Sequence, residues 1–290
     1  MKRLHSKGAS FKLWMALGVG ACLLLLPLTV VLALGYLDPL FGAPNGYVTV
    51  DHPYSDSVVQ SDGKILALGN GNLVRLQADG TVDTGFGTNG TVTFLTDEAL
   101  AVAQAPDAKI FVAGQCDLDG DGQATDIRLA RLLSNGQPDP AYNSGAAACR
   151  SVNITGTDRL YVNDVSVQAS GNVIVMATYM YVGDLIGGAG FLEGFDSNGN
   201  INSAFGTNGS FHGTIPNPPG GSSLGFAKAF VQADDSILVL GTVSDWRGTS
   251  GEVPYTMLMH LTSAGHYDTS FGTAGVLVYS NAALAVCRSN

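Results

Sequence analysis

Residues 73–90 read LVRLQADGTVDTGFGTNG, and the rest of the chain is this stretch repeated with variation. LARLLSNGQPDPAYNSG at 129–145, LEGFDSNGNINSAFGTNG at 192–209 and LMHLTSAGHYDTSFGTAG at 258–275 keep the same frame, and LDPLFGAPNG at 37–46 is the tail of a further copy. Repetition supplies a filter. A residue type that recurs in every copy serves the shared fold, whereas a residue found in one copy is available for function.

A second landmark alternates with the first: VVQSDGKILALG from Val58, VAQAPDAKIFVAG from Val102, VQASGNVIVMATY from Val167 and VQADDSILVLGTV from Val231. Each places a Gln (Gln60, Gln104, Gln168, Gln232) before a short turn of Asp, Gly, Ser or Pro and then a β-branched run. This is the pattern of strand A, tight turn and buried strand B. Strand C follows in the opening stretch and turns at Asp79-Gly80, Asn135-Gly136, Asn198-Gly199 and Ala264-Gly265, with a short strand D expected directly after the turn.

Strand D runs into Asp83, Asp139, Asn202 and Asp268, each three residues before Phe86, Tyr142, Phe205 and Phe271; Asp38 and Phe41 repeat the spacing. Carboxylates invite an acid–base reading, but five recurrences, one of them an amide, point to side chains closing turns on backbone N–H groups, with the aromatic as a core plug. The slot of Arg75 and Arg131 becomes Gly194 and His260, so His260 carries no catalytic signal.

The aromatic landmarks are spaced by 45, 56, 63 and 66 residues. Such periods, with four or more short strands each, predict an all-β, propeller-like array of about four antiparallel blades, closed or open, behind an N-terminal hydrophobic helix. The repeats run over about 51–95, 96–155, 156–213 and 214–280, with partial copies at 37–50 and 281–290.

In SDGKILALG, VRLQADGTVD and FGTNG the chain resembles the delta-60 repeat family, from about residue 38 to residue 280. Gly194, Ala264 and Tyr142-Asn143 depart from that pattern. The resemblance implies a propeller-like exported bacterial protein and brings no catalytic residues.

The chain is 46% hydrophobic and 13% charged, with 38 glycines, which fits a turn-rich globular protein. Residues 1–35 hold four of the 14 Lys and Arg and no acidic residue, so the remainder carries 10 basic against 24 acidic residues, a net charge of −14. That balance argues against nucleic acid. Lys2, Arg3, Lys7 and Lys12 precede an uncharged apolar run over 13–37, the pattern of an export signal. Cleavage near Gly35, favoured by small Ala33 and Gly35 and by a repeat that begins at Asp38, competes with a retained membrane anchor. Cys22 falls within the apolar run. After export Cys116 and Cys149, within one repeat, form the natural disulfide pair, and Cys287 takes an apolar slot as a buried free thiol, with an intermolecular bridge as the alternative.

In antiparallel four-stranded units the A–B and C–D turns share one face and the longer B–C and D–A connections the other. The longer connections fall at roughly 116–126, 182–189, 244–254, 151–160 and 212–225. Loops on a rigid scaffold concentrate function. In residues 116–126, CDLDGDGQATD, Asp117, Asp119 and Asp121 with Gly122 have the spacing of a Ca²⁺ loop, Gln123 offers its carbonyl and Asp126 a further carboxylate, while Arg128 stands where an EF-hand has Glu. A solvated acidic loop is the alternative. Tyr179, Tyr181, Asp184, His212, Trp246, Arg247 and Glu252 are candidates for lining a ligand cleft, or else ordinary loop packing. No nucleophile elbow, zinc helix, Cys-x-x-Cys pair or phosphate loop is present. The expected role is an exported, non-catalytic binding or scaffolding module for a glycan, peptide or protein. The rival is an extracellular hydrolase or lyase using Asp184, His212, Asp245 or Glu252.

Overall fold

The computed structural model describes residues 37–49, 54–94, 99–152, 157–181, 188–213, 223–245 and 253–280. The leader, Trp246, Arg247, Glu252, Asp184 and Cys287 lie outside them. Two compact units divide between Thr49 and Val50. In the first, the Asp38 carboxylate accepts the Leu40 N–H at 2.9 Å, and the Phe41 N–H closes on the Asp38 carbonyl at 3.1 Å.

The second unit is nearly all β. Its strands fall into four meanders of four: β1 (Asp56–Val59), β2 (Ile65–Gly69), β3 (Asn72–Leu76) and β4 (Thr91–Thr93); β5 (Ala99–Gln104), β6 (Ile110–Cys116), β7 (Asp126–Leu132) and β8 (Ala148–Arg150); β9 (Thr157–Val167), β10 (Val173–Tyr181), β11 (Gly188–Phe195) and β12 (Ser210–His212); β13 (Ser223–Val231), β14 (Ile237–Asp245), β15 (Val253–Leu261) and β16 (Val276–Ser280). Each meander pairs antiparallel in chain order, and a single parallel bridge, Ala189 to Leu224, joins the third to the fourth. Strands A, B and C correspond to β1–β3 and their repeats.

The fourth strand is not where the sequence pattern put it. After the Asp79-Gly80 turn the chain makes only a one-residue bridge, Leu76 with Val82, and this recurs as Leu132–Pro138, Phe195–Ile201 and Leu261–Tyr267. The fourth strand comes after the FGTNG close. The reason is local: Asp83 ends the extended run at once by accepting the Gly85 N–H at 3.2 Å, while the Phe86 N–H bonds the Asp83 carbonyl at 3.0 Å. The 14 or so residues between C and the fourth strand are therefore a compact plug rather than a hairpin. Several strands also extend into stretches expected to be loops: β9 begins at Thr157, β11 at Gly188 and β13 at Ser223, and β14 runs to Asp245.

A meander has two apolar faces, and each must be covered by a neighbour. The cores lie accordingly between successive meanders. Leu66, Leu73 and Phe86 meet Val102, Ile110 and Leu132; Phe111, Leu129 and Tyr142 meet Leu160, Val175 and Phe195; Met176, Leu192 and Phe205 meet Val239, Met257 and Leu261.

The recurring polar residues lock this stack on its turn side. Arg75 donates to Asp83 at 2.8 Å and to the Ser134 carbonyl in the next meander's turn, with its guanidinium 4.4 Å from the Phe86 ring centroid. Arg131 repeats the arrangement with Asp139 at 2.8 Å, the Ser197 carbonyl and Tyr142. Burial works to raise the Asp83 carboxyl, but Lys64, the Gly85 N–H and Arg75 outweigh it and hold it below the usual range. The plug aromatics press on the next turn's glycine: a Cβ on Gly199 would stand 2.1 Å from the Tyr142 hydroxyl, and one on Gly265 2.6 Å from the Phe205 ring. Where the Arg is lost, Gly194 leaves room for Phe205, and His260 substitutes by bonding Asp268 at 2.9 Å.

The first strands of the first, third and fourth meanders are linked by charge. Four residues before each hairpin Gln stand Asp56, Leu100, Asp164 and Lys228. Asp56 accepts the Val102 N–H of the next meander at 2.9 Å, and Asp164 likewise accepts that of Ala229 at 2.9 Å. Lys228, on the fourth meander, bonds Asp164 at 2.7 Å and reaches Asp56 of the first at 3.8 Å. Partial burial opposes the ammonium charge, but these two carboxylates hold its pKa above the usual value.

Candidate functional site

With the recurring Asp, Asn and Arg residues committed to the turn side, copy-specific chemistry gathers where the β6–β7 connection emerges, on the opposite face. That connection is anchored at its base. Cys116 and Cys149 are joined by a disulfide with their Cα atoms 6.2 Å apart, and Asp126, buried, accepts the Leu118 N–H at 3.0 Å.

Above this base Asp117, Asp119 and Asp121 are exposed, with carboxylate oxygens within 4.8 Å of one another. Asp117 accepts the Gly120 and Gly122 N–H groups at 2.7 and 2.8 Å, and these bonds, led by the one from Gly122, hold its pKa below the carboxylate norm. Asp121 accepts the Gln123 N–H at 2.8 Å. Gly120 and Gly122 take left-handed φ angles of 78° and 88°, which fold the loop so that the three carboxylates converge. The Gln123 carbonyl accepts the Thr125 N–H at 3.0 Å. The structure therefore brings together three of the five expected metal ligands. It places Asp126 beneath the cluster as a strut, and Gln123 with its carbonyl already hydrogen-bonded.

Beside the loop lies a cleft of about 490 Å³ lined by Gln115, Gly122, Gln123, Ala124, Arg159, Leu160 and Tyr161. Arg159 and Tyr161 project from the start of β9, their Nη1 and hydroxyl 3.5 Å apart. Neither was singled out from the sequence, because 151–160 read as a connection. The signal was present: nine and seven residues before Gln168 they stand where the other copies have Asp51, Leu95 and Ser223, and Pro53, Asp97 and Gly225.

Of the aromatic candidates, Tyr179 and His212 meet around Phe191. The His212 ring stacks on Phe191 at 5.7 Å and 18°, and Tyr179 stands edge-on to His212 at 6.2 Å. Tyr179 is buried, so it packs rather than presents a surface, while desolvation by this packing lowers the His212 pKa although part of the residue remains exposed. The backbones of Tyr181 and Asp245 end β10 and β14; their side chains, like Asp184, Trp246, Arg247 and Glu252, lie outside the described residues.

A buried acid in an otherwise apolar slot escaped the sequence reading. Glu193 occupies the slot of Val74, Ala130 and Met259, is 1% exposed, and its carboxylate accepts the Ser210 hydroxyl. Desolvation raises its pKa to about 7 against the pull of that hydrogen bond.

Residues 60–86 and 105–142 match a family model described as "Domain of unknown function (DUF5122) beta-propeller". A search of curated proteins gives no match. Among solved structures, the chain is similar at 12% identity and a TM-score of 0.40 to "Structure of a new family of Polysaccharide lyase PL25-Ulvanlyase", and equally to the same enzyme bound to -[GlcA(1-4)Rha3S]-. The likeness covers 73% of this chain and 53% of each of those, so the chain spans about half their length. The sheets and the family match make this a propeller-like repeat domain.

Proposed function

We propose that this is an exported protein of delta-60 type, its repeats running over about 51–95, 96–155, 156–213 and 214–280, that acts as a non-catalytic binding or scaffolding module through its long-loop face. The observation that carries this reading is the division of labour between the faces. The recurring Asp and Asn side chains are bound into the turn-side plugs, and an open cleft adjoins the clustered aspartates on the other side. Residues 1–35 direct export, either cleaved near Gly35 or retained as an anchor. No helix among the described residues is long and apolar enough to cross a membrane, and the leader lies outside them.

The acidic loop is suited to Ca²⁺. Three converging carboxylates are hard oxygen donors, and seven or so oxygens at about 2.4 Å is what this ion takes, the balance coming from water and carbonyls. In this reading Asp117, Asp119 and Asp121 hold the ion and relieve their mutual repulsion. Millimolar Ca²⁺ is expected to raise the melting temperature, by about 2.7 kcal/mol of stabilisation when the ion is at 100 times its Kd. Identical melting curves with Ca²⁺ and with chelator would remove the ion from the account.

The functional reading is tested by screening the full-length chain, in mild detergent, against glycan and peptide arrays while following polymer length by size-exclusion chromatography. Binding without shortening is the expected result. Shortening of any polymer would replace the binding module by a hydrolase or lyase.

A further inference from the structure

We infer that Glu193 is a protonation-operated latch on β12: as the neutral acid it keeps this strand on β11, and as the carboxylate it releases the strand toward solvent. The geometry leaves one part of its surroundings free to answer a charge. Glu193 is 1% exposed and shares the face of β11 that carries Phe191 and Phe195 into the core against the second meander. β11 itself is held on both sides, with Glu193 opposite Val175 of β10 and Ser210 of β12. Among the described residues the carboxyl accepts one hydrogen bond, from the Ser210 hydroxyl, and its Oε1 lies against the chain at Gly209, where an added Cβ would stand 3.3 Å away. A buried carboxylate with a single hydroxyl for a partner must find water. The piece that can yield is β12, three residues long, outermost, and paired among the described strands with β11 alone.

No neighbouring charge offers another way out. Burial raises the Glu193 pKa to about 7, opposed only by the Ser210 hydroxyl. On the facing meander Lys109 is paired with Asp107 and Asp139, Arg131 with Asp139 and the Ser197 carbonyl, and Arg150 with the Gly199 carbonyl. Tyr142 stays neutral, its pKa pushed up by burial to about 12. On the same sheet Tyr179 packs against His212, whose pKa desolvation lowers, so His212 sheds its proton below the range in which Glu193 ionises. With β12 lifted, Glu193 regains its ordinary value of 4.5. The opening constant therefore rises about tenfold per pH unit from 4.5 to 7 and is level above 7. The latch lies where β12 ends at His212 on the loop side, and it stands whether or not that face binds a ligand.

The test is hydrogen exchange of the full-length chain in mild detergent from pH 5 to 8, each rate divided by the intrinsic rate at that pH. Protection of residues 210–212, and of the Gly194 N–H that bonds the Gly209 carbonyl, is expected to fall about fiftyfold between pH 5 and pH 7.5, while β4 and β8 hold theirs. Glu193→Gln, which stays neutral, is expected to hold protection constant. Ser210→Ala removes the one donor that favours the carboxylate, so it is expected to move the fall to higher pH, and it serves if Glu193→Gln does not fold. His212→Phe should leave the fall in place. Protection at β12 that is independent of pH, a fall shared equally by β4 and β8, or a fall that persists in Glu193→Gln would overturn the latch. So would a fall in Ser210→Ala at unchanged or lower pH, or one abolished by His212→Phe.

Discussion

Arg131 illustrates what a recurring polar residue does in this chain. Its side chain is 7% exposed, its partner Asp139 4%, and it ties its own plug to the turn of the next meander. Removing one member of a buried pair leaves the other charge uncompensated, so Arg131→Met is expected to lower unfolding stability by about 3 kcal/mol. Chemical denaturation measures this; a loss below about 1 kcal/mol would mean that the clasp is incidental. Glu193 is the opposite kind of residue, present in one copy and out of place in an apolar slot. Its folded pKa of about 7 lies above its ordinary 4.5. The neutral acid is thus favoured in the fold: the associated stability is fully present below pH 4.5 and is lost as pH rises through 7, by about 3 kcal/mol. Glu193→Gln should flatten that part of the stability–pH curve, and parallel curves for the two proteins would contradict the assignment. The recurring Asp and Asn residues were legible because five copies repeat them. Glu193, Arg159 and Tyr161 were not, although comparing each slot across the copies marks all three.

At the scale of elements, strands A to C followed from hairpin chemistry: a short turn between β-branched runs leaves the backbone few alternatives. The fourth strand was misplaced because Thr81-Val82 has strand character while the Asx turn at Asp83 outweighs it. Which surfaces the plugs touch was also hidden, since Phe86 meets Gly136 fifty residues away and nothing local records the partner. Two glycines with the same φ of 78° separate these effects. Gly120 has nothing within 4 Å of an added Cβ, whereas Gly199 has the Tyr142 ring. Gly120→Ala is expected to cost about 1 kcal/mol for the left-handed backbone alone, and Gly199→Ala at least about 2 kcal/mol more, because the plug must move. Equal losses in thermal denaturation would show that the plug and turn do not interlock.

Across the whole molecule, the repeat turns a chain of short-range hairpins into a stack whose cores lie between meanders, so each meander depends on its neighbours. The central claim is that the four meanders of one chain surround a common axis, with Lys228 of the fourth reaching Asp56 of the first. The alignment of Asp56, Leu100, Asp164 and Lys228 was visible in the register of the four Gln residues, but only the fold shows that the aligned positions converge. Carbodiimide coupling tests it most directly, because it joins a lysine to a carboxylate only when the two are already in contact. Applied to a mixture of ¹⁴N- and ¹⁵N-labelled full-length protein and read by peptide mass spectrometry, it should give a Lys228–Asp56 isopeptide within single chains. A Lys228–Asp56 link found only between labelled and unlabelled chains, or no such link when Asp164→Asn removes the nearer carboxylate, would contradict the shared axis.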